Sequence, residues 1–167
     1  NLNRHGGWSH NVQGGIDWFI NKKNTLSLTL GYNYHKRQGD NTLSVVNDSV
    51  LSKERIPYEN YLQTATDQNI RHNFTSSLNY KKTFETKGQE LTADLFFSQR
   101  NGNEKDTTTQ DYYFPTFRPS IFQKTTTKDR NLTSTAQVDF VTPVGKGGRI
   151  ETGYKLSYRS IGQDYKY

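Results

Sequence analysis

Apolar and polar residues alternate with a period of two along three stretches of the chain. In the first, Val12, Gly14, Ile16, Trp18 and Ile20 are apolar or small, with Gln13, Gly15 and Asp17 between them and Phe19 as the exception. Asn21-Lys22-Lys23-Asn24 interrupts the run. Leu26, Leu28, Leu30, Tyr32 and Tyr34 then alternate with Thr25, Ser27, Thr29, Gly31 and Asn33. Successive side chains of a strand point to opposite faces, so the pattern predicts a strand, a tight turn and a returning strand.

The same plan recurs twice. Ile70, Phe74, Leu78 and Tyr80 share one face, with Arg71, Asn73, Thr75, Ser77 and Asn79 on the other. Phe84 to Gly88 turns the chain, and Leu91, Ala93, Leu95 and Phe97 alternate on the way back. Leu132, Ala136, Val138 and Phe140 precede a turn over Thr142 to Gly148, and Ile150, Tyr154, Leu156 and Tyr158 follow it. This gives hairpins over about 9–37, 68–100 and 129–160. Between them lie two polar stretches, about 38–67 and 101–128, with turn-forming Asp40-Asn41, Asn47-Asp48, Pro57 and Pro115. These predict long loops.

Three features turn this all-β, antiparallel up-and-down arrangement toward a membrane. Each alternating segment runs about 10–14 residues, where a soluble strand has about 5–6 and a tilted transmembrane strand needs about 9–11. Short turns fall at one end and long connections at the other, the asymmetry of outer-membrane barrels. Aromatics gather at strand ends: Tyr32, Tyr34, Tyr154 and Tyr158, and, near the short turns, Trp18, Tyr80, Phe84 and Phe140. Such rows match interfacial girdles. About six long strands forming part of a large transmembrane β-barrel, over 1–167, is therefore the expected fold.

Composition sharpens this reading. Apolar residues, counted with glycine and without tyrosine, make up about 32% of the chain, against about 45–50% in soluble domains. Disorder does not explain the deficit, because Tyr (11) and Phe (9) are abundant and Pro (4) is scarce. A barrel wall does explain it, since only its lipid face has to be apolar. Cysteine is absent, which excludes disulfides and thiolate metal sites. The net charge of +6 comes from interspersed residues, with no basic cluster of the kind nucleic acid requires. No apolar run is long enough for a transmembrane helix. No secretory signal stands at Asn1, so the chain reads as a piece of a longer precursor.

The segments Gly15 to Leu28 and Val138 to Lys155 resemble the barrel of TonB-dependent outer-membrane receptors, and in particular the outer membrane protein beta-barrel family common in Bacteroidota. There a strand reaches a Lys/Asn or Gly/Lys turn and returns through a Gly-Tyr pair, here Gly31-Tyr32 and Gly153-Tyr154. The resemblance covers most of the chain as a pattern of hairpins. It implies a barrel of about 22 strands with a plug, of which this chain supplies about a quarter of the wall. It implies an outer-membrane location, contacts with lipid, with the rest of the barrel and with its plug, and TonB contacts through segments outside this chain. A plug and a TonB-contacting segment are not recognisable within it.

No catalytic constellation emerges, and no enzyme, cofactor or metal site is expected. His5, His10, His35 and His72 are scattered, and Asp40, Asn47 and Asp48 lack calcium-loop spacing. Gly145-Lys146-Gly147-Gly148 lacks the eight-residue phosphate-loop pattern and reads as a turn. The sequons at Asn73 and Asn131 fall inside strands. Tyr112, Tyr113, Phe114 and Phe117 form one aromatic cluster suited to stacking on a ligand; packing within the loop is the competing reading. Arg71, Asp94, Asp139 and Lys155 occupy the polar face and are expected to line the lumen. The expected role is nutrient-ligand uptake. The alternative is a soluble all-β module that binds carbohydrate or protein through the aromatic loop.

Overall fold

A computed structural model describes residues 2–51, 54–115 and 117–167, and the side chains of all of these except 50, 51, 54, 55 and 57. Six strands form one antiparallel sheet in chain order: β1 (Leu2–Asn21), β2 (Asn24–Leu51), β3 (Glu54–Thr83), β4 (Glu90–Phe114), β5 (Ile121–Val144) and β6 (Gly148–Lys166). Each strand pairs with its chain neighbours, and β1 and β6 each pair on one side only.

The three predicted turns lie together at one end. At Lys22-Lys23, the Asn21 side-chain oxygen accepts from the Lys23 backbone N–H at 2.9 Å and the Asn24 amide at 2.8 Å. This is the local capping for which Asn is selected in turns. Gly88, Gly145 and Gly147 have φ of 85°, 63° and 138°, a conformation that side-chain-bearing residues rarely adopt. The β1–β2 register shifts between Phe19 and Asn21, next to the residue that departs from the alternation.

The opposite end corrects the sequence reading. Most of the stretches 38–67 and 101–128, expected as long loops, continues the strands, with Pro115 and residues 117–120 in the turn between β4 and β5. β2 and β3 stay paired out to Leu51↔Glu54, and β4 and β5 out to Gln110↔Ile121. Residues 52, 53 and 116, inside the expected loops, lie outside the described residues. The three hairpins are correspondingly longer than 9–37, 68–100 and 129–160. The physical reason is that these extensions are wet on both faces, so no hydrophobic period marks them. Threonine carries them instead: Thr107-Thr108-Thr109 pairs with Lys124-Gln123-Phe122. Thr is a strand former whose branched side chain suits the pleat whether or not it is buried.

The register sorts the side chains into two faces. One row across the sheet reads Ile16, Leu28, Leu78, Leu95, Ala136, Leu156, and the next reads Trp18, Leu26, Tyr80, Ala93, Val138, Tyr154. The alternate row on the other face reads Asp17, Ser27, Asn79, Asp94, Gln137, Lys155. No hydrophobic side chain among the described residues is buried; Val12, Ile16, Leu95 and Leu156 are all more than half exposed. A soluble sheet packs its apolar face on a second layer. This sheet is a single layer whose apolar face has no protein against it.

Candidate functional site

On the apolar face the band of Leu, Ile, Val and Phe ends in aromatics in both directions. Away from the turns, Trp8, His10, Tyr34 and His72 stack across β1, β2 and β3. Trp8 lies 4.7 Å from His10 and 4.8 Å from Tyr34, and Tyr34 lies 5.0 Å from His72, as ring-centroid distances. The Tyr32 hydroxyl meets His72 Nδ1 at 2.7 Å. Toward the turns, Phe84 packs edge-on against Phe140 at 6.0 Å, with the Lys82 ammonium 5.0 Å from the Phe84 ring. From His72 to Phe84 a strand rises about 40 Å, or about 30 Å of height at a tilt near 40°. That matches an apolar band about 25 Å tall with an interfacial row at each edge.

The outer membrane protein beta-barrel family matches residues 82–167. The chain belongs to that family. No curated protein matches the chain. Family membership fixes the setting: this is an outer-membrane protein, and the sheet is barrel wall. The soluble alternative is thereby overturned, consistent with a sheet that buries no hydrophobic side chain among the described residues.

The polar face of this family member is dense with hydrogen bonds and charge. Asn11, Asn33, Asn73, Arg100 and Asn131 form one row. Asn79 donates to Asp94, and Gln137 donates to Asp139 at 2.7 Å. Arg37 pairs with Asp67 at 3.6 Å, and Arg100 with Asp129 at 3.9 Å. Several glycines of this face lie beneath side chains of the next strand. A Cβ at Gly31 would fall 2.6 Å from Thr75 Oγ1, and one at Gly102 or Gly153 would overlap the carboxylate of Asp129 or Asp139. The Gly-Tyr pairs therefore have a structural logic: glycine admits a folded-over polar side chain on one face, and tyrosine serves the other.

Arg71, Asp94, Asp139 and Lys155 all lie on this polar face by register. Asp94 and Lys155 share a row and Asp139 is one row away. Arg71 is four rows farther from the turns, beside Gly102 and near Asp129 and Glu104 in an open recess of about 300 Å³. Asn69 and Asn131, also on this face, each carry a buried side-chain oxygen with no hydrogen-bond partner.

The four aromatics of the predicted cluster are separated. Tyr112, Tyr113 and Phe114 belong to β4 itself, and Phe117 sits in the turn that follows. Tyr112 is enclosed: its ring is 5.3 Å from Tyr61, the Arg118 guanidinium lies over it at 4.9 Å, and its hydroxyl donates to Gln110 Oε1 at 3.2 Å. Tyr113, Phe114 and Phe117 are exposed, Phe117 by 86%. A group that the sequence alone did not single out surrounds Tyr112 on the side continuing the polar face. Arg118 is ion-paired to Glu59, Asn47 donates to Glu59 at 3.1 Å, and Gln110 donates to Gln63 at 3.1 Å. The sequence signal for it was weak, because Glu59 and Arg118 are 59 residues apart and meet only through the long β3–β4 ladder.

Proposed function

We propose that the chain is part of the wall of a TonB-dependent receptor that imports a nutrient ligand. In this reading the apolar face meets membrane lipid and further strands continue the barrel from β1 and β6. A closed transmembrane barrel needs at least about eight strands. The polar face, with Arg71, Asp94, Asp139 and Lys155, lines the lumen against a plug. The observation that carries the reading is the polar wall itself. It holds mixed charges and hydrogen-bonded carboxylates. A polar, charged surface of this kind suits a barrel lumen that holds water and a plug. Tyr112, Tyr113, Phe114 and Phe117, with Arg118 and Glu59, stand at the mouth, where an incoming ligand passes first.

Transport is tested in cells carrying the full-length protein, with and without the energising TonB system. Uptake of chelated metals, oligosaccharides and peptides is followed after deletion of the gene. Loss of uptake of one ligand class on deletion, and again on TonB removal with surface binding retained, supports the proposal. Uptake unaffected by either change overturns it. Cysteines at Asp94 and Lys155 are expected to react with a water-soluble thiol reagent, and cysteines at Leu95 and Leu156 to be protected in membranes.

A further inference from the structure

We propose that the tips of the three short turns dock on an anionic polymer of the periplasm, the carboxylate-bearing peptides of the cell wall. Segments 21–24, 81–90 and 142–151 carry seven basic and three acidic side chains, a surplus of four within the chain's net charge of +6. Each acid is already matched. Glu85 pairs with Lys23, Glu90 with Lys81 at 2.8 Å, and Glu151 with Arg149. Lys82 lies over the Phe84 ring. That leaves Lys22, Lys87 and Lys146, one at each tip. All three are exposed, and among the described residues none has a carboxylate within ion-pair distance.

The three tips stand at one level. Asn24, Lys82, Leu91, Phe140 and Thr152 form one row across the sheet. The first hairpin closes at this row, the second one residue beyond it at Thr83↔Glu90, and the third four residues beyond it at Val144↔Gly148. The other edge of the apolar band shifts alike: the row of Tyr34 reaches β6 at Gly162, four residues from Tyr158. An advance of about one residue per strand is what strands tilted near 40° need for level ends.

Height and spacing select the occupant. From Phe140 to Val144 the strand covers about 13 Å, or about 10 Å of height at that tilt. The head-group layer is about 5–8 Å thick on each side, so Lys146 stands past it, on the side of the short periplasmic turns. Neighbouring tips are two strands, or about 10 Å, apart. That exceeds the screening length of about 8 Å at physiological salt, so the tips do not sum to one field that holds a compact anion. They suit a chain of separate carboxylates, one for each tip, in which the first contact raises the local concentration for the next.

The inference rests on the short turns facing the periplasm and not on transport, and the experiment separates docking from orientation. The full-length protein is purified from outer membranes in nonionic detergent. Three forms are compared: unaltered, the turn variant K22Q/K87Q/K146Q, and the opposite-end variant K105Q/K124Q/K128Q, which removes the same charge. Each is checked for heat-modifiable migration, so that only folded barrel is compared. Binding is measured at about 0.15 M salt to purified cell-wall sacculi, to sacculi whose carboxylates have been amidated, and to phosphatidylglycerol micelles. The turn variant is expected to lose about fivefold or more in binding to untreated sacculi, and the opposite-end variant less than about twofold. Amidated sacculi are expected to bind none of the three forms. Equal losses in both variants, no loss in the turn variant, or undiminished binding to amidated sacculi overturns the proposal. So does a turn variant that loses phosphatidylglycerol binding while its sacculus binding is unchanged, which assigns the lysines to lipid. Orientation is read independently from Lys146→Cys and a membrane-impermeant thiol reagent. Reaction only after the outer membrane is permeabilised, alongside an unaffected turn variant, rejects the docking and leaves the orientation intact, whereas reaction on intact cells rejects the orientation and the docking with it.

Discussion

The Tyr32 hydroxyl and His72 Nδ1 are 2.7 Å apart across the β2–β3 pair, 40 residues distant in sequence, on the face that carries the apolar band. The bond sits among Trp8, His10 and Tyr34, so it ties the aromatic row of three strands together. Replacing Tyr32 with Phe keeps the ring and removes the bond. The expected loss is about 0.5–1.5 kcal/mol in unfolding free energy, measured by denaturant unfolding of the barrel in lipid vesicles. An unchanged midpoint would mean that the hydroxyl is satisfied equally well by water at the interface.

Two glycines of β1 make opposite predictions. A Cβ at Gly14 meets nothing within 4 Å, whereas one at Gly7 falls 2.7 Å from the Lys36 carbonyl oxygen and 3.3 Å from the Arg37 Cα. Backbone cannot yield as a side-chain tip can. Gly14→Ala is expected to stabilise by about 0.5–1 kcal/mol, the usual penalty of glycine in a strand. Gly7→Ala should destabilise by about 1–3 kcal/mol. The same unfolding measurement checks both, and equal effects would show that β1 shifts freely on β2.

How much of this was legible in the sequence depends on which solvent each segment meets. Between Val12 and Tyr34 one face is apolar and the other polar, and the strands and the turn at Lys22-Lys23 could be read from that alternation. The polar face of Arg71, Asp94, Asp139 and Lys155 followed from the same parity. Beyond the band both faces are wet, the period disappears, and the paired extensions over 38–67 and 101–128 looked like loops. The two-residue turn at Lys22-Lys23 alone would set His10 opposite His35; the one-residue register shift between Phe19 and Asn21 is what brings His10 opposite Tyr34. Extending the row to β3 required the length of the far connection, which no residue pattern announced. The meeting of Glu59 with Arg118 depends on that same ladder and was out of reach.

Charge tolerance should differ by face at a single height. Leu78 lies in the row of Ile16, Leu28, Leu95 and Leu156, and Ser77 is its neighbour on the other face. Leu78→Arg is expected to destabilise the folded barrel by about 2–4 kcal/mol, as for a cation near the bilayer midplane. Ser77→Arg should change stability by less than about 1 kcal/mol. Unfolding in vesicles distinguishes them, and similar losses would argue that both faces are shielded from water.

The turn after β4 is held to β3 by one ion pair, and that makes its security testable from outside the cell. Arg118 pairs with Glu59, whose side chain is only 16% accessible, while Arg118 also covers the Tyr112 ring. Neighbouring restraints are a backbone bond from Arg118 N–H to the Pro115 carbonyl at 3.1 Å and a Ser120 hydroxyl bond to Asp111 at 2.7 Å. Half-exposed ion pairs contribute about 0.2–1 kcal/mol. Arg118→Ala and Glu59→Gln should therefore each raise the rate of cleavage at 115–120 by a broad-specificity protease on intact cells by about 1.5- to 5-fold. The double variant should behave like either single one, because both remove the same contact. If the two effects multiply instead, Arg118 secures the turn through Tyr112 rather than through Glu59, and Tyr112→Leu would then reproduce the Arg118→Ala result by itself.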